Sequence, residues 1–365
     1  MTIEEEIKNI EDEIRKTPYN KATSHHIGRL KAKLARLRDE LQKRATAKSA
    51  GKGKGYGVKK SGDATVIMVG FPSVGKSTLL NILTGTSAEV AAYDFTTLEV
   101  IPGTLLYKGA QIQFLDVPGL IQGAATGRGH GKEVISVMRN ADLILIIVDV
   151  FQPQQFDTLV KELYDAGIRI NTKPPEVVIH KASRGGITVN STVDLELAKK
   201  TIRAVLSEYK IHNAEVLIRE RITLDELIDV VLGNRKYIHA ITVVNKIDLA
   251  DSRAFRACME RLPDALPISA AVGMNIDALK DKIYNELGFI RIYMKPQGAP
   301  PDKDHPLVMK TDSTVVDVCS TIHRDFVEKF RYARIWGKSV KYGGQRVGLS
   351  HVLADGDVVS MVTRK

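Results

Sequence analysis

Apolar residues near the start of the chain recur at helical spacing: Ile3, Ile7, Ile10 and Ile14, then Ile27, Leu30, Leu34, Leu37 and Leu41 after a break at Thr17-Pro18-Tyr19-Asn20. Two such stripes with a short connection predict an antiparallel helical hairpin; a coiled-coil dimer seam is the alternative, disfavoured by the small number of heptads. The pattern then changes. Residues 46–62 are small, glycine-rich and basic, the composition of a flexible linker. Beyond them apolar residues stand in short, largely apolar runs, at 65–69, 114–115, 143–148 and 238–244. Runs of that length suit strands buried on both faces, and the amphipathic stretches at 79–83 and 154–166 suit helices covering them. An α/β fold follows.

From Asp116 to Asn245 the chain runs 129 residues, more than the surrounding core needs. Strand patterns at 177–180, 186–189 and 214–218, with helical ones at 194–209 and 223–232, predict a small α/β module inserted in that core. The tail has its own rhythm: strands near 307–309 and 314–318, a helix over 318–330, a strand at 333–336, the Gly343-Gly344 turn and a last strand at 357–362. Strands around one helix predict a compact β-grasp domain, with Trp336 in its core. The expected division is a helical hairpin (1–48), a basic linker (49–62), a core (63–169 and 238–290), an inserted α/β module (170–237) and a β-grasp domain (291–365).

With 365 residues and 44% hydrophobic content, the chain can bury several cores. Its two cysteines, Cys258 and Cys319, give no disulfide framework and no zinc spacing, as expected for a reducing cytoplasm. Charge begins at Glu4, unlike a secretory leader, and the apolar runs are too short to cross a bilayer, so no membrane partner is expected. The net charge of +10 is unevenly spread: +8 over residues 1–62, +5 over 291–365 and −3 between them. Basic flanks on a slightly acidic core point to a ribosome or RNA surface, with Lys52, Lys54, Lys59 and Lys60 free to meet phosphates.

The core carries four motifs in order. Gly70-Phe71-Pro72-Ser73-Val74-Gly75-Lys76-Ser77-Thr78 lies between an apolar strand and a helical pattern, the setting a phosphate-binding P-loop requires. Glycines turn backbone N–H groups toward phosphate oxygens at a helix N-terminus, Lys76 can reach the β- and γ-phosphates, and the Ser77 hydroxyl can bind Mg²⁺. Tyr93-Asp94-Phe95-Thr96-Thr97 is a switch-like segment in which Thr97, with Thr96 as alternative, would complete the metal shell. Asp116-Val117-Pro118-Gly119 places a second metal-shell residue, Asp116, and the Gly119 N–H facing the γ-phosphate. Asn245-Lys246-Ile247-Asp248 reads guanine: the Asp248 carboxylate accepts two N–H groups that adenine lacks, Lys246 lies along the base, and Asn245 braces the loops. Ser269 and Ala270 supply the second base contact. The site is thus expected to bind GTP and GDP with Mg²⁺, and Lys76, Thr97 and Gly119 to act in hydrolysis.

One position departs from the common pattern. Many GTPases carry Gln after the Asp-x-x-Gly glycine to orient the attacking water; here it is Leu120. Intrinsic turnover is therefore expected to be slow, on the order of 10⁻³ s⁻¹ or less. A backbone group, another side chain, a cation or a partner must position the water. K⁺ is one candidate, although Ser73 stands where the best-known K⁺-activated GTPases have Asn. The loop 123–131 holds four glycines, with Arg128 and His130 among them, and suits a segment that orders only with GTP or a partner.

The P-loop, the Tyr-Asp-Phe-Thr-Thr segment, Asp-Val-Pro-Gly-Leu-Ile-Gln-Gly-Ala at 116–124 and Asn-Lys-Ala-Thr-Ser-His-His-Ile-Gly-Arg-Leu at 20–30 together resemble the developmentally regulated GTP-binding proteins, among the Obg-related GTPases. The resemblance covers essentially the whole chain. It implies a helical hairpin, a GTPase core with an insert, a C-terminal TGS domain, and a cytoplasmic GTPase acting with translating ribosomes, in some lineages with a helper protein. Tyr93-Asp94-Phe95 differs from the Tyr-Pro-Phe of bacterial Obg proteins, and Asp248 differs from the Glu of the ATP-preferring branch, which favours GTP. Three roles stay open at this point: a translation factor, a ribosome-assembly GTPase, and a GTP-dependent scaffold with little turnover.

Overall fold

The computed structural model describes residues 2–18, 20, 23–47, 62–85, 91–92, 99–116, 137–296, 298–323 and 325–363. They fall into two compact units, one within Met1–Tyr56, Gln122–Arg139 and Val160–Ile238, the other within Gly57–Ile121, Asn140–Leu159 and His239–Lys365.

In the first unit, helix α1 (Ile3–Lys16) starts at a capping box in which the Thr2 hydroxyl accepts from Glu5 N–H and Glu5 accepts from Thr2 N–H. Helix α2 (Ser24–Ala47) runs back along it, as the pairs Glu13–His26 and Glu6–Lys33 show. The hairpin expected from the two stripes is present. The apolar face of α2 is spent within the chain, since Ala32 is buried in one cluster with Ile202, Val205 and Leu206. Those three belong to α5, named below; a Cβ on Gly28 would come within 2.8 Å of Thr201 Cγ2, so glycine permits this close helix approach.

Along the chain follow β1 (Ala64–Val69), α3 (Lys76–Thr84), β2 (Ala91–Ala92), β3 (Glu99–Tyr107), β4 (Ala110–Asp116), β5 (Leu143–Asp149), α4 (Gln155–Asp165) and β6 (Ile168–Ile170). Next come β7 (Val177–Lys181), β8 (Ile187–Ser191), α5 (Lys199–Glu208), β9 (Ala214–Ile218), α6 (Leu224–Leu232) and β10 (Lys236–Asn245). In the first unit β9 lies between β7 (antiparallel) and β8 (parallel), and β6 pairs with the first residues of β10. Helix α5 is shorter than the expected 194–209, because Ala198 is extended and caps it. A buried ion cluster backs this unit: Asp229 accepts from Arg169 at 2.6 and 2.8 Å and from Arg235 at 2.8 Å.

The second unit continues with α7 (Ser252–Arg261), β11 (Leu266–Pro267), α8 (Ile276–Glu286), β12 (Phe289–Met294), β13 (Leu307–Lys310), α9 (Val315–Ile322), α10 (Asp325–Glu328), β14 (Phe330–Trp336), β15 (Gln345–Val347) and β16 (Val358–Thr363). Its main sheet has the order β11-β10-β5-β1-β4-β3-β2, parallel except for the antiparallel β4-β3-β2 edge. Strands β1 and β5 are buried along their whole length, which explains their unbroken apolar runs. All the parallel strands end on one edge of the sheet, where α/β folds bind ligands.

The β3–β4 hairpin turns at Lys108 (φ 50°) and Gly109 (φ 85°), both left-handed, a geometry that matches strand twist. At this tip Tyr107 donates to Asp281 of α8 at 2.7 Å, and a Cβ on Gly109 would meet Pro306 at 2.7 Å. The C-terminal sheet, of order β13-β12-β16-β14-β15, packs one face on α9, burying Ile292, Ala333, Ile335 and Val359 with Val315 and Val318. This mixed sheet over helix is the β-grasp arrangement expected. The single helix expected over 318–330 is instead two, α9 and α10, separated at His323, whose backbone is extended at φ −166°, ψ 140°. The stretch expected as a strand near 314–318 is the start of α9, begun by a capping box between Thr314 and Asp317.

Candidate functional site

The site builds up from the tips of β1, β4, β5 and β10. Strand β1 ends at Val69, and the chain leaves through Gly70, where a Cβ would lie 2.6 Å from the Ile147 carbonyl oxygen of β5. Only glycine lets the loop start this close to the neighbouring strand. Phe71 packs on the sheet's core, Pro72 and Ser73 are exposed, and Val74 is buried. Ser73 (φ 63°) and Gly75 (φ 93°) are left-handed, a curl that turns successive N–H groups to one side ahead of α3. Helix α3 begins at Lys76, and Ser77 and Thr78 are exposed on its first turn.

Lys76 Nζ arches back over the loop, donating to the Gly70 and Phe71 carbonyls at 3.1 Å each. Burial lowers its pKa, and the nearby Asp116 carboxylate opposes that shift. Asp116 ends β4, 5% exposed, and its Oδ2 accepts from the Ser77 hydroxyl at 3.2 Å. Burial pushes its carboxyl pKa up against Lys76 and Ser77. Its other oxygen, Oδ1, is buried without a hydrogen-bond partner among the described residues. A hydroxyl beside a buried, half-satisfied carboxylate is a hard oxygen donor set. It fits Mg²⁺, which takes one or two protein ligands and completes its shell with phosphates and water. Among the described residues no cluster of three or more His, Cys, Asp or Glu forms an all-protein metal cage.

The other half of the site is held by Asn245, the last residue of β10 and 2% exposed. Its Nδ2 donates to the Val74 carbonyl at 2.8 Å, and its Oδ1 accepts from Ala270 N–H at 2.9 Å. One amide therefore ties the P-loop to the segment that follows β11. A Cβ on Gly75 would collide with the same Nδ2, so this glycine is required twice, by φ and by space. Lys246 is left-handed at φ 67°, and its Nζ pairs with Asp149 Oδ2 at 2.8 Å. Asp248 projects its carboxylate into solvent from the short 3₁₀ turn Ile247–Leu249. Ser269 is fully buried, in a reciprocal backbone bridge with Met274, and Ala270 is 3% exposed beside it.

The structure thus brings Gly70–Thr78, Asp116, Asn245, Lys246, Asp248, Ser269 and Ala270 to one edge of the sheet. Thr96, Thr97, Gly119, Leu120, Arg128 and His130 lie outside the described residues. Asp149 is the residue that sequence reasoning passed over. It ends β5, pairs with Lys246 and accepts from Phe151 N–H at 3.0 Å. The available signal was an acid closing an unbroken apolar run, next to the strand that ends in Asn-Lys-x-Asp.

Comparison with known proteins agrees with this geometry. Residues 65–181 match the family described as 50S ribosome-binding GTPase, residues 184–289 the C-terminal region of that domain, and residues 290–363 the TGS domain. An uncharacterized GTP-binding protein of Methanocaldococcus jannaschii is 57% identical over all of this chain and 94% of its own. Ribosome-interacting GTPase 1 of Saccharomyces cerevisiae is 48% identical over the full length of both chains. Developmentally-regulated GTP-binding protein 1 of Xenopus laevis is 46% identical over 98% of each.

Proposed function

The chain belongs to the developmentally regulated GTP-binding protein family, and from that premise we propose that it hydrolyses GTP slowly by itself and acts as a ribosome- or RNA-associated translation factor. The observation that carries the reading is the Asn245 bridge, which makes the phosphate loop and the base-reading loops one construction.

In this reading Lys76 leaves the Gly70 and Phe71 carbonyls for the β- and γ-phosphates, and the N–H groups of 73–78 cradle the phosphate oxygens. Ser77, Asp116 and Thr97 would hold Mg²⁺, which when bound neutralises charge on the β- and γ-phosphate oxygens. The Gly119 N–H would face the γ-phosphate. Asp248 accepts from guanine, Lys246, held by Asp149, lies along the base, and Ser269 and Ala270 line its far edge. Leu120 cannot orient water, so in this reading the orienting group comes with the bound partner and turnover rises on binding; K⁺ is the alternative, and would serve without the partner. The division into hairpin (1–48), linker (49–62), core (63–169 and 238–290), insert (170–237) and TGS-like domain (291–365) assigns partner contact to the basic ends, in the cytoplasm. A relative named for interacting with the ribosome supports this choice of partner.

Two variants test the reading. Lys76→Ala should abolish GTP turnover while the fold persists; unchanged turnover would overturn the site. Because α2 is part of the first unit's core, the flank is tested by substitution. Replacing Lys52, Lys54, Lys59 and Lys60 together by glutamine should weaken ribosome co-sedimentation in a salt-dependent way while GTP affinity is kept. Identical co-sedimentation at every salt concentration would remove the basic flank from the account.

A further inference from the structure

The C-terminal sheet has two faces, and the helices cover one. Ala333 and Ile335 of β14 point into that core, so Tyr332, Arg334 and Trp336 alternate onto the other face. On β15, Arg346 stands directly opposite Arg334 in the antiparallel register. Like charges paired across strands repel, and among the described residues no carboxylate pairs with either guanidinium. Arg331 is exposed beside them. All three guanidiniums gather on one ring: Arg346 Cζ lies 4.7 Å from the Tyr332 centroid, Arg331 5.9 Å and Arg334 6.0 Å. From Lys329 to Ala354 the sequence has six Lys and Arg and no Asp or Glu. A second aromatic, Tyr342, is 67% exposed in the turn between the two strands.

Trp336 belongs to the same strand and lies on this outer face, not in the core expected from the sequence, because the alternation of β14 gives the core to Ala333 and Ile335. It is half-buried, with the Gly343-Gly344 turn packed against its ring. A Cβ on Gly344 would sit 3.3 Å from its Nε1, and Gly344 N–H is tied to the Ile335 carbonyl at 2.7 Å. The ring that the arginines surround, with no turn backbone packed on it, is Tyr332.

We propose that the outer face of β14 and β15, centred on Tyr332, Arg334 and Arg346, binds single-stranded RNA, stacking a base at Tyr332 and seating the flanking phosphates on the arginines. An uncompensated cationic ring around an aromatic matches a strand of planar bases joined by anions. A duplex hides its base faces, and an acidic peptide would use the guanidiniums but leave the ring without a role. The proposal rests on the RNA-association half of the function above and shares no residue with the GTP site.

The test uses the full chain and a fluorescein-labelled oligouridylate, followed by anisotropy over a salt series, with GTP affinity measured on the same samples. Arg334→Gln combined with Arg346→Gln should lower the slope of log affinity against log salt by about 1.4, or roughly 0.7 per lost phosphate contact. Tyr332→Ala should weaken binding roughly 5- to 150-fold at every salt concentration, and Tyr332→Phe should restore it. Should the alanine variant not fold, Tyr332→Leu keeps the bulk and removes the π face, and should weaken binding likewise. GTP affinity should stay unchanged throughout; its loss would implicate the nucleotide site instead. The proposal is overturned if oligouridylate does not bind, if Tyr332→Ala and Tyr332→Leu bind it as the parent does, or if polyglutamate displaces it at equal charge, which would make the occupant an acidic protein segment.

Discussion

Replacing Asn245 by alanine is the perturbation whose cost the structure specifies best. The side chain is buried and spends both polar atoms on backbone groups that are themselves buried, the Val74 carbonyl and the Ala270 N–H. Alanine leaves both without their partner. An orphaned buried backbone group costs about 1–3 kcal/mol, so the pair amounts to about 2–6 kcal/mol, the lower end applying where water enters the gap. The same change unties the phosphate loop from the Ser269–Ala270 segment, so GTP affinity should fall about tenfold or more, equivalent to ~1.4 kcal/mol. Asn245→Asp sharpens the reasoning. It keeps the acceptor for Ala270 N–H but turns an oxygen toward the Val74 carbonyl, so it should do no better than alanine. Urea unfolding gives the stability and fluorescent-nucleotide titration the affinity. A stability loss under about 0.5 kcal/mol with unchanged GTP affinity would refute the bridge as the element that unites the site.

Asp248→Asn replaces an acceptor of two N–H groups by a mixed donor and acceptor, so GTP affinity should fall roughly 10²-fold or more in the same titration. Asp229→Ala removes the anion between two largely buried guanidiniums, Arg169 and Arg235, and should cost about 3–5 kcal/mol in urea unfolding. Burial raises the Asp116 pKa above its ordinary 3.8, so the native state holds that proton more tightly than the unfolded chain. Its contribution should therefore fall as pH rises from about 3.8 through the raised native value, and Asp116→Asn should remove that slope from urea midpoints measured across the acid range.

What the sequence disclosed follows from how locally each feature is encoded. Strands β1 and β5 are buried on both faces, so each is written as an unbroken apolar run with a motif at its end. The Asn245 bracing role was readable because the motif fixes its place at a strand tip. Asp149 was not, because its partner Lys246 is 97 residues away and only the sheet register brings them together. The β3–β4 hairpin was missed although Lys108-Gly109 is a fair turn signal, since Glu99–Tyr107 mixes proline, glycine and exposed leucine without clean alternation. The break at His323 hides inside a continuous apolar pattern on both sides. The Arg334–Arg346 juxtaposition needs the antiparallel register of β14 and β15, which no spacing along the chain reveals.

The central claim is that this chain is a slow GTPase whose missing water-orienting group arrives with its partner. Steady-state GTP turnover with and without purified ribosomes, at fixed K⁺, addresses it most directly. The account predicts slow basal turnover and strong stimulation by ribosomes, lost in Lys76→Ala. Basal turnover that ribosomes leave unchanged would contradict it.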